Sequence, residues 1–138
     1  MNDYIREEER IEIEDRVRSV DDWTYTITTT LAEDDVTLAQ VWMHNQQGID
    51  RLVRNDARAV YVLFTCINRD SPRHRPHGHG LIRTTLPLWN VQKLFWGHGT
   101  KVKPVSDVVG WLDYCTSQAI RDTTLHNIEE TAYATTEG

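Results

Sequence analysis

The sequence predicts one α+β domain with the order β-α-β-β-α-β, followed by a further helix. Three observations predict it. Runs rich in β-branched, aromatic and apolar residues fall at 23–31 and 59–67, with shorter strand-like stretches at 77–84 and 100–105. Segments with apolar residues at helical spacing fall between them at 36–54 and 86–96, and after them at 107–121. A length of 138 residues, with 39% hydrophobic and 26% charged residues, fits a single globular domain with an ordinary core.

Taken in order, residues 1–22 are charged, with Ile5, Ile11, Ile13 and Val17 interspersed. They fit a frayed helix or a disordered arm, and an acidic, poorly packed arm is the expectation. Trp23 to Leu31 alternates as a strand does. Glu33, Asp34 and Asp35 signal entry to a helix, because carboxylates favour a helix N-terminus. Leu38, Val41, Trp42, Ile49, Leu52 and Val53 then mark its apolar stripe, with Gly48 a weak point. Ala59 to Ile67 is continuously apolar, as expected for a central strand buried on both faces. An arginine-rich loop with two prolines, 68–76, leads to the strand His77 to Thr84. Leu88, Val91, Gln92 and Phe95 place the second helix, with Pro87 tolerable in its first turn and Gly97-His98-Gly99 ending it. Thr100 to Val105 is a short strand, and Ser106 is the expected cap of the last helix. Residues 122–138 form an acidic, Thr-rich tail with room for one more helical turn. The expected organisation is thus an arm at 1–22, a domain at 23–121 and a tail at 122–138. The order is that of the ferredoxin-like split β-α-β fold, an antiparallel sheet with two helices on one face.

The net charge of −6 argues at first against a nucleic-acid partner, but its distribution does not. Residues 1–22 carry a balance of −5 and residues 122–138 one of −4, which leaves 23–121 at +3. Arg69, Arg73, Arg75 and Arg83 surround a pair of histidines, a local arrangement suited to phosphate. Cys66 and Cys115 form no CxxC, so reduced thiols are expected, as in the cytoplasm. No apolar run approaches the roughly 18 to 20 residues that span a bilayer, and the acidic start is unlike a secretory signal, so no membrane association is expected.

Two motifs carry chemistry. Arg75-Pro76-His77-Gly78-His79-Gly80-Leu81-Ile82-Arg83 lies on the third strand, where alternation puts His77, His79, Leu81 and Arg83 on one face. Two imidazoles at i and i+2 can chelate a divalent cation but need further ligands. Gly78 and Gly80 are poor strand formers and imply close approach from the other face. On the last helix Val108, Leu112, Cys115 and Ala119 form the apolar stripe, and Tyr114 and Gln118 are neighbours at its edge. Gln118 offers a hard oxygen suited to Mg2+ or Mn2+, and Tyr114 a nucleophilic hydroxyl. A phenol titrates near about 10, so its attack needs assistance in losing the proton. Asp113 points roughly 100° away on the helix and is not assigned as base. Arg83 is a candidate phosphate clamp, Arg75 and Arg73 candidates for DNA backbone contacts, and His98 an alternative ligand, with His74 able to join if its loop curls inward. For Trp23, Trp89, Trp96 and Trp111, core packing is expected ahead of base stacking.

His77-Gly78-His79, followed one helix and one strand later by Tyr114 on a helix, resembles the HUH endonuclease superfamily of rolling-circle replication initiators, conjugative relaxases and single-tyrosine transposases. The run from Arg75 to Ile82 is similar to the histidine motif of small prokaryotic initiators. Tyr114-x-x-x-Gln118 is similar to the motif of single-tyrosine transposases, whose glutamine completes the metal site. The resemblance covers roughly residues 23–121. It departs from the family at Gly78, usually bulky and apolar, and at Gln118, where initiators carry lysine.

The resemblance implies a metal-dependent enzyme that nicks and joins single-stranded DNA or an origin hairpin through a 5′-phosphotyrosine on Tyr114. His77, His79 and Gln118 would hold Mg2+ or Mn2+. The role implied is initiation of rolling-circle replication of a phage or plasmid, in the host cytoplasm if viral, with host replication proteins and a homodimer as open possibilities for partners. Transposition is the alternative with the same chemistry. From other classes come a non-catalytic nucleic-acid binder on an RRM-like sheet, using Tyr25, Tyr61 and Phe64, and a structural zinc site of His77, His79 and His98.

Overall fold

Five antiparallel strands form one sheet in the order β4-β1-β3-β2-β5 in the computed structural model, which describes residues 3–31, 35–68, 75–96 and 99–128. The strands are β1 (Tyr25–Thr29), β2 (Val60–Ile67), β3 (Pro76–Arg83), β4 (Lys101–Pro104) and β5 (Leu125–His126). Four helices accompany them: α1 (Glu7–Arg18), α2 (Leu38–Asn55), α3 (Leu88–Leu94) and α4 (Val108–Gln118). The protein is therefore α+β.

Alternation along the strands divides the core between the two faces of the sheet. Ile27, Leu63 and Ile82 face α2 and α3, where Ile49, Leu52, Val91 and Phe95 cover them. Val62, Phe64, Cys66 and Leu81 face the other way, under Leu112 and Cys115 of α4 and Ala119 just after it. β3 is central, flanked by β1 and β2 along its length, so its side chains sit at the middle of both layers.

Local chemistry sets the boundaries. The carboxylates expected to start α2 are not its cap: Thr37 is, in a capping box with Gln40. Asp107 rather than Ser106 caps α4, accepting from the Gly110 N–H at 3.0 Å. α4 ends at Gln118, earlier than expected, because Ala119 and Ile120 turn into extended pairing with Cys66 and Tyr4.

The expectation of a poorly packed arm at 1–22 is corrected. Tyr4 bridges Ile120, and the Ile5 N–H donates to the Ala119 carbonyl at 3.0 Å. Val17 is fully buried in the core beneath α4, and Ile5 and Ile13 pack against the same cluster. Intra-helical pairs of Arg10 and Arg18 with Glu14, and of Arg16 with Glu12, let so charged a segment remain helical. The start of the expected tail also belongs to the fold. Leu125 and His126 add β5 beside β2, and Ile128 is buried. Trp89 on α3 and Trp96 just beyond it, expected in the core, are 67% and 74% exposed, whereas Trp23 is buried with its indole N–H on the Val17 carbonyl.

Gly78 has a packing reason. A Cβ there would fall on Thr29 Oγ1 and Asn45 Nδ2, two fully buried polar side chains bonded to each other at 2.7 Å. The polar pair occupies the space that a bulky residue at this position would need. Gly80 is constrained in the same way by the Val62 carbonyl.

Candidate functional site

The site forms where the centre of β3 meets the last two turns of α4. His79 is 5% exposed, opposite Thr28 on β1 and Phe64 on β2. His77, half-buried, lies two residues nearer the start of the strand on the same face, opposite Cys66. The two rings stand edge-on, 4.5 Å between centroids. From α4, Gln118 is buried and brings Oε1 to 3.1 Å from His77 Nε2. Tyr114, one turn earlier, holds its ring 5.2 Å from that of His79 and remains 46% exposed. The structure thus brings His77, His79, Gln118 and Tyr114 together.

The donor set fits a cation. His77 Nδ1 lies 2.8 Å from the Arg75 carbonyl, which only accepts, so Nδ1 carries the proton. Nε2 of the neutral ring then presents a lone pair to Gln118 Oε1, also an acceptor. With the amide in this orientation, only a positive centre between them, a proton or a metal ion, satisfies both atoms. His79 is likewise held through Nδ1. Its Nδ1 is 3.1 Å from Thr28 Oγ1, while its Nε2 is buried without a hydrogen-bond partner. A buried polar atom left unpaired costs about 1–3 kcal/mol, and an imidazole nitrogen oriented through its other nitrogen is a typical metal ligand. Imidazole nitrogens with an amide oxygen suit a borderline to hard divalent ion. His, Cys, Asp and Glu alone form no group of three or more able to hold a metal among the described residues. Among the described residues, a three-ligand site here therefore takes Gln118 as its third donor.

Burial, and secondly the neighbouring His77, push the His79 imidazole down to about 3. Between about 3 and the usual value near 6.5, the unfolded chain holds one more proton than the folded one. The contribution of His79 to stability is complete above about 6.5 and is lost as pH falls through that window. Chemical denaturation of wild type and His79→Gln at several pH values should give a stability difference that shifts in favour of wild type as pH rises from 4 to 6.5 and is flat above. A difference independent of pH would mean that His79 is not buried neutral.

Trp111 packs against the core under α4, as expected, and also completes the site. Its indole N–H donates to the Gly80 carbonyl at 2.8 Å, and its ring lies 5.2 Å from His79 and 5.7 Å from Tyr114. It braces the tyrosine against β3. Thr28 was also missed, although the alternation of β1 puts it on the histidine face once the register is known. Asp113 pairs with Arg10 of α1, so it is occupied elsewhere.

Neither Arg75 nor Arg83 turns its guanidinium to the histidines. Arg83 shares their face but lies four residues beyond His79, roughly 13 Å along the strand, with its guanidinium on the Asp21 carbonyl. The Arg75 guanidinium is tied to the Leu31 carbonyl. Arg73, Arg69, His74 and His98 lie outside the described residues. Both cysteines are free and buried, and burial pushes both thiols up, so neither is a nucleophile at neutral pH. The aromatic residues invoked for an RRM-like surface are covered: Tyr25 and Tyr61 pack in the layer under α2 and α3, and Phe64 is buried under α4. Among the described residues no helix is long and apolar enough to cross a membrane.

No family model and no curated protein matches the chain. Among solved structures it is similar to that of the hypothetical protein ORF119 from Sulfolobus islandicus rod-shaped virus 1, with a TM-score of 0.50 and 15% identity. The match covers 80% of this chain and 93% of that one. At that identity the likeness is one of fold alone.

Proposed function

We propose that this protein nicks and rejoins single-stranded DNA through a 5′-phosphotyrosine on Tyr114, in the manner of a single-tyrosine HUH endonuclease that initiates rolling-circle replication. His77, His79 and Gln118 would hold Mg2+ or Mn2+. The observation that carries this reading is the approach of His77 Nε2 to Gln118 Oε1 at 3.1 Å beside the unpaired, buried Nε2 of His79, with the Tyr114 ring 5.2 Å from His79. The strand order β4-β1-β3-β2 supports the ferredoxin-like split reading, with α1 and β5 as additions to it.

When bound, the cation supplies Lewis acidity to the non-bridging oxygens of the scissile phosphate. The Tyr114 hydroxyl attacks phosphorus in line with the departing 3′ oxygen. One bond forms, from Tyr114 Oη to phosphorus, and one breaks, from phosphorus to O3′. The phenol proton passes to solvent, to which the half-exposed ring is open, and the leaving oxygen takes a proton from solvent. Trp111 and His79 hold the phenol ring in place, so little orientational freedom is lost at the moment of attack. The energy of the phosphodiester is kept in the tyrosyl ester, so a later 3′-hydroxyl can reverse the step and join strands.

The test is a covalent transfer assay. Fluorescent single-stranded oligonucleotides tiled across the replicon that encodes the chain are incubated with protein and Mn2+, then run on a denaturing protein gel. A label carried on the protein, lost in Tyr114→Phe and with EDTA, is the expected result. Binding with no adduct across the whole tiling set would refute the enzymatic reading.

A further inference from the structure

A groove opens on the solvent side of Tyr114, between β4 and the start of α4. Thr26, Lys103, Pro104, Gly110, Trp111 and Tyr114 line most of it, and it encloses about 480 Å³. That lies within the range of about 300–1,000 Å³ typical of sites that take a small organic group. Its walls are largely apolar and aromatic. Lys103, opposite Thr26, gives its rim a positive charge, and Lys101, two residues along β4 and opposite Thr28, extends that charge beyond the groove; both are exposed and on the histidine face. Neither lysine has an ion-pair partner among the described residues. The Asp107 carboxylate at the far wall is engaged with the first turn of α4 through the Gly110 N–H.

Register connects this rim to the site. Lys101, Thr28 and His79 are directly opposed on three adjacent strands, so one row of side chains runs from the sheet edge to the histidine pair. Its span is about 10 Å, two strand spacings. Lys101 and Lys103 are about 6.6 Å apart along β4, comparable to successive phosphates on an extended single strand.

We infer that this groove is a nucleotide subsite for single-stranded DNA, taking one unpaired base against the Trp111 indole while Lys101 and Lys103 hold the flanking phosphates. The inference deepens the nicking reading, since the subsite adjoins Tyr114, but it concerns binding and is tested without the reaction. An unpaired base is needed because the groove is closed on one side by Trp111, which the Gly80 carbonyl fixes in place. Aromatic walls accept any base by stacking, so the subsite is tolerant of sequence.

The full-length protein in EDTA is titrated into fluorescein-labelled oligothymidylate, read by anisotropy over a salt series. Lys101→Gln with Lys103→Gln is expected to weaken binding about tenfold at moderate salt. It should also flatten the dependence of log affinity on log salt by about 1.4, from about 0.7 for each phosphate contact of a single strand. Lys93→Gln, on α3 behind the sheet, should change neither. Irradiation of a probe carrying 5-iododeoxyuridine should cross-link the peptide containing Trp111. Absence of binding, an unchanged salt slope in the double variant, or cross-links confined to the exposed Trp89 and Trp96 would each overturn the subsite. A covalent adduct on Tyr114 combined with an unchanged slope sinks the subsite and spares the reaction. The expected slope change with no adduct does the reverse.

Discussion

Mn2+ should raise the melting temperature of the wild-type protein by about 10 °C at a concentration a hundredfold above its dissociation constant, and His77→Ala should abolish the shift. A ligand that binds only the folded state at that excess stabilises it by about 2.7 kcal/mol. For a chain of this size each kcal/mol moves the midpoint by roughly 3–5 °C. The prediction rests on two acceptors that face each other, His77 Nε2 and Gln118 Oε1, beside the buried, unpartnered Nε2 of His79. Removing one imidazole removes a ligand, and it also relieves the confrontation between Nε2 and Oε1. The metal-free His77→Ala protein should therefore melt close to the metal-free wild type, which separates loss of a ligand from loss of the fold. Gln118→Ala should weaken the manganese shift and Gln118→Glu should preserve or enlarge it, because a carboxylate is the better hard ligand. Differential scanning fluorimetry over a manganese series measures all four proteins. A shift that survives in His77→Ala would mean that the ion binds elsewhere.

The elements of this site were legible in the sequence because each depends on a short-range period. Alternation fixed the shared face of His77 and His79, and the i, i+4 rule joined Tyr114 to Gln118. That His77 meets Gln118 depends on where α4 ends and how it crosses β3, and no period encodes that. Two of the four arginines misled for the same reason. Arg75 and Arg83 are close to the histidines in sequence, but the strand carries one of them away, and the other turns to the Leu31 carbonyl. The lysines of β4 are distant in sequence, and two ladders bring them beside the site. In the fold, the helices and strands that pack by their own amphipathicity were visible, with errors of a few residues where a cap decided the boundary, as at Thr37 and Asp107. β5 was invisible because two residues cannot display alternation, and its pairing depends on an edge of β2 formed far away in sequence. Trp89 ended outside because α3 is short and turns only Val91 fully inward, and Trp96 because it follows the helix end, where Phe95 takes the buried place.

α1 is the largest departure from what the sequence implied, and it yields a prediction opposite to the one an arm would give. If residues 1–22 were an appendage, a chain beginning at Trp23 would fold and retain its site. The structure makes them a wall of the core. Val17 is fully buried, and Ile5 and Ile13 cover the same cluster that lies beneath α4. Burial of one such side chain contributes about 1.5–3 kcal/mol, so one full and two partial burials contribute roughly 3–6 kcal/mol. That is comparable to the whole stability of a typical domain, about 5–15 kcal/mol. Polar contacts add orientation: Arg10 holds Asp113, and Thr116 donates to Glu14 at 3.1 Å, so α1 grips α4 on either side of Tyr114 in sequence. The truncated chain should therefore lose its cooperative melting transition or melt far below the full chain, with exposed apolar surface detectable by dye binding. Val17→Asp in the full chain should do the same, because it places an unpaired carboxylate in that core. Arg10→Ala is the milder case. Its pairs with Glu14 and Asp113 are partly solvated and worth at most about 1 kcal/mol. It should leave the fold intact and affect the tyrosine helix alone, read as faster amide exchange in α4 than in β3. Cooperative melting of the truncated chain near the temperature of the full protein would return residues 1–22 to the status of an arm.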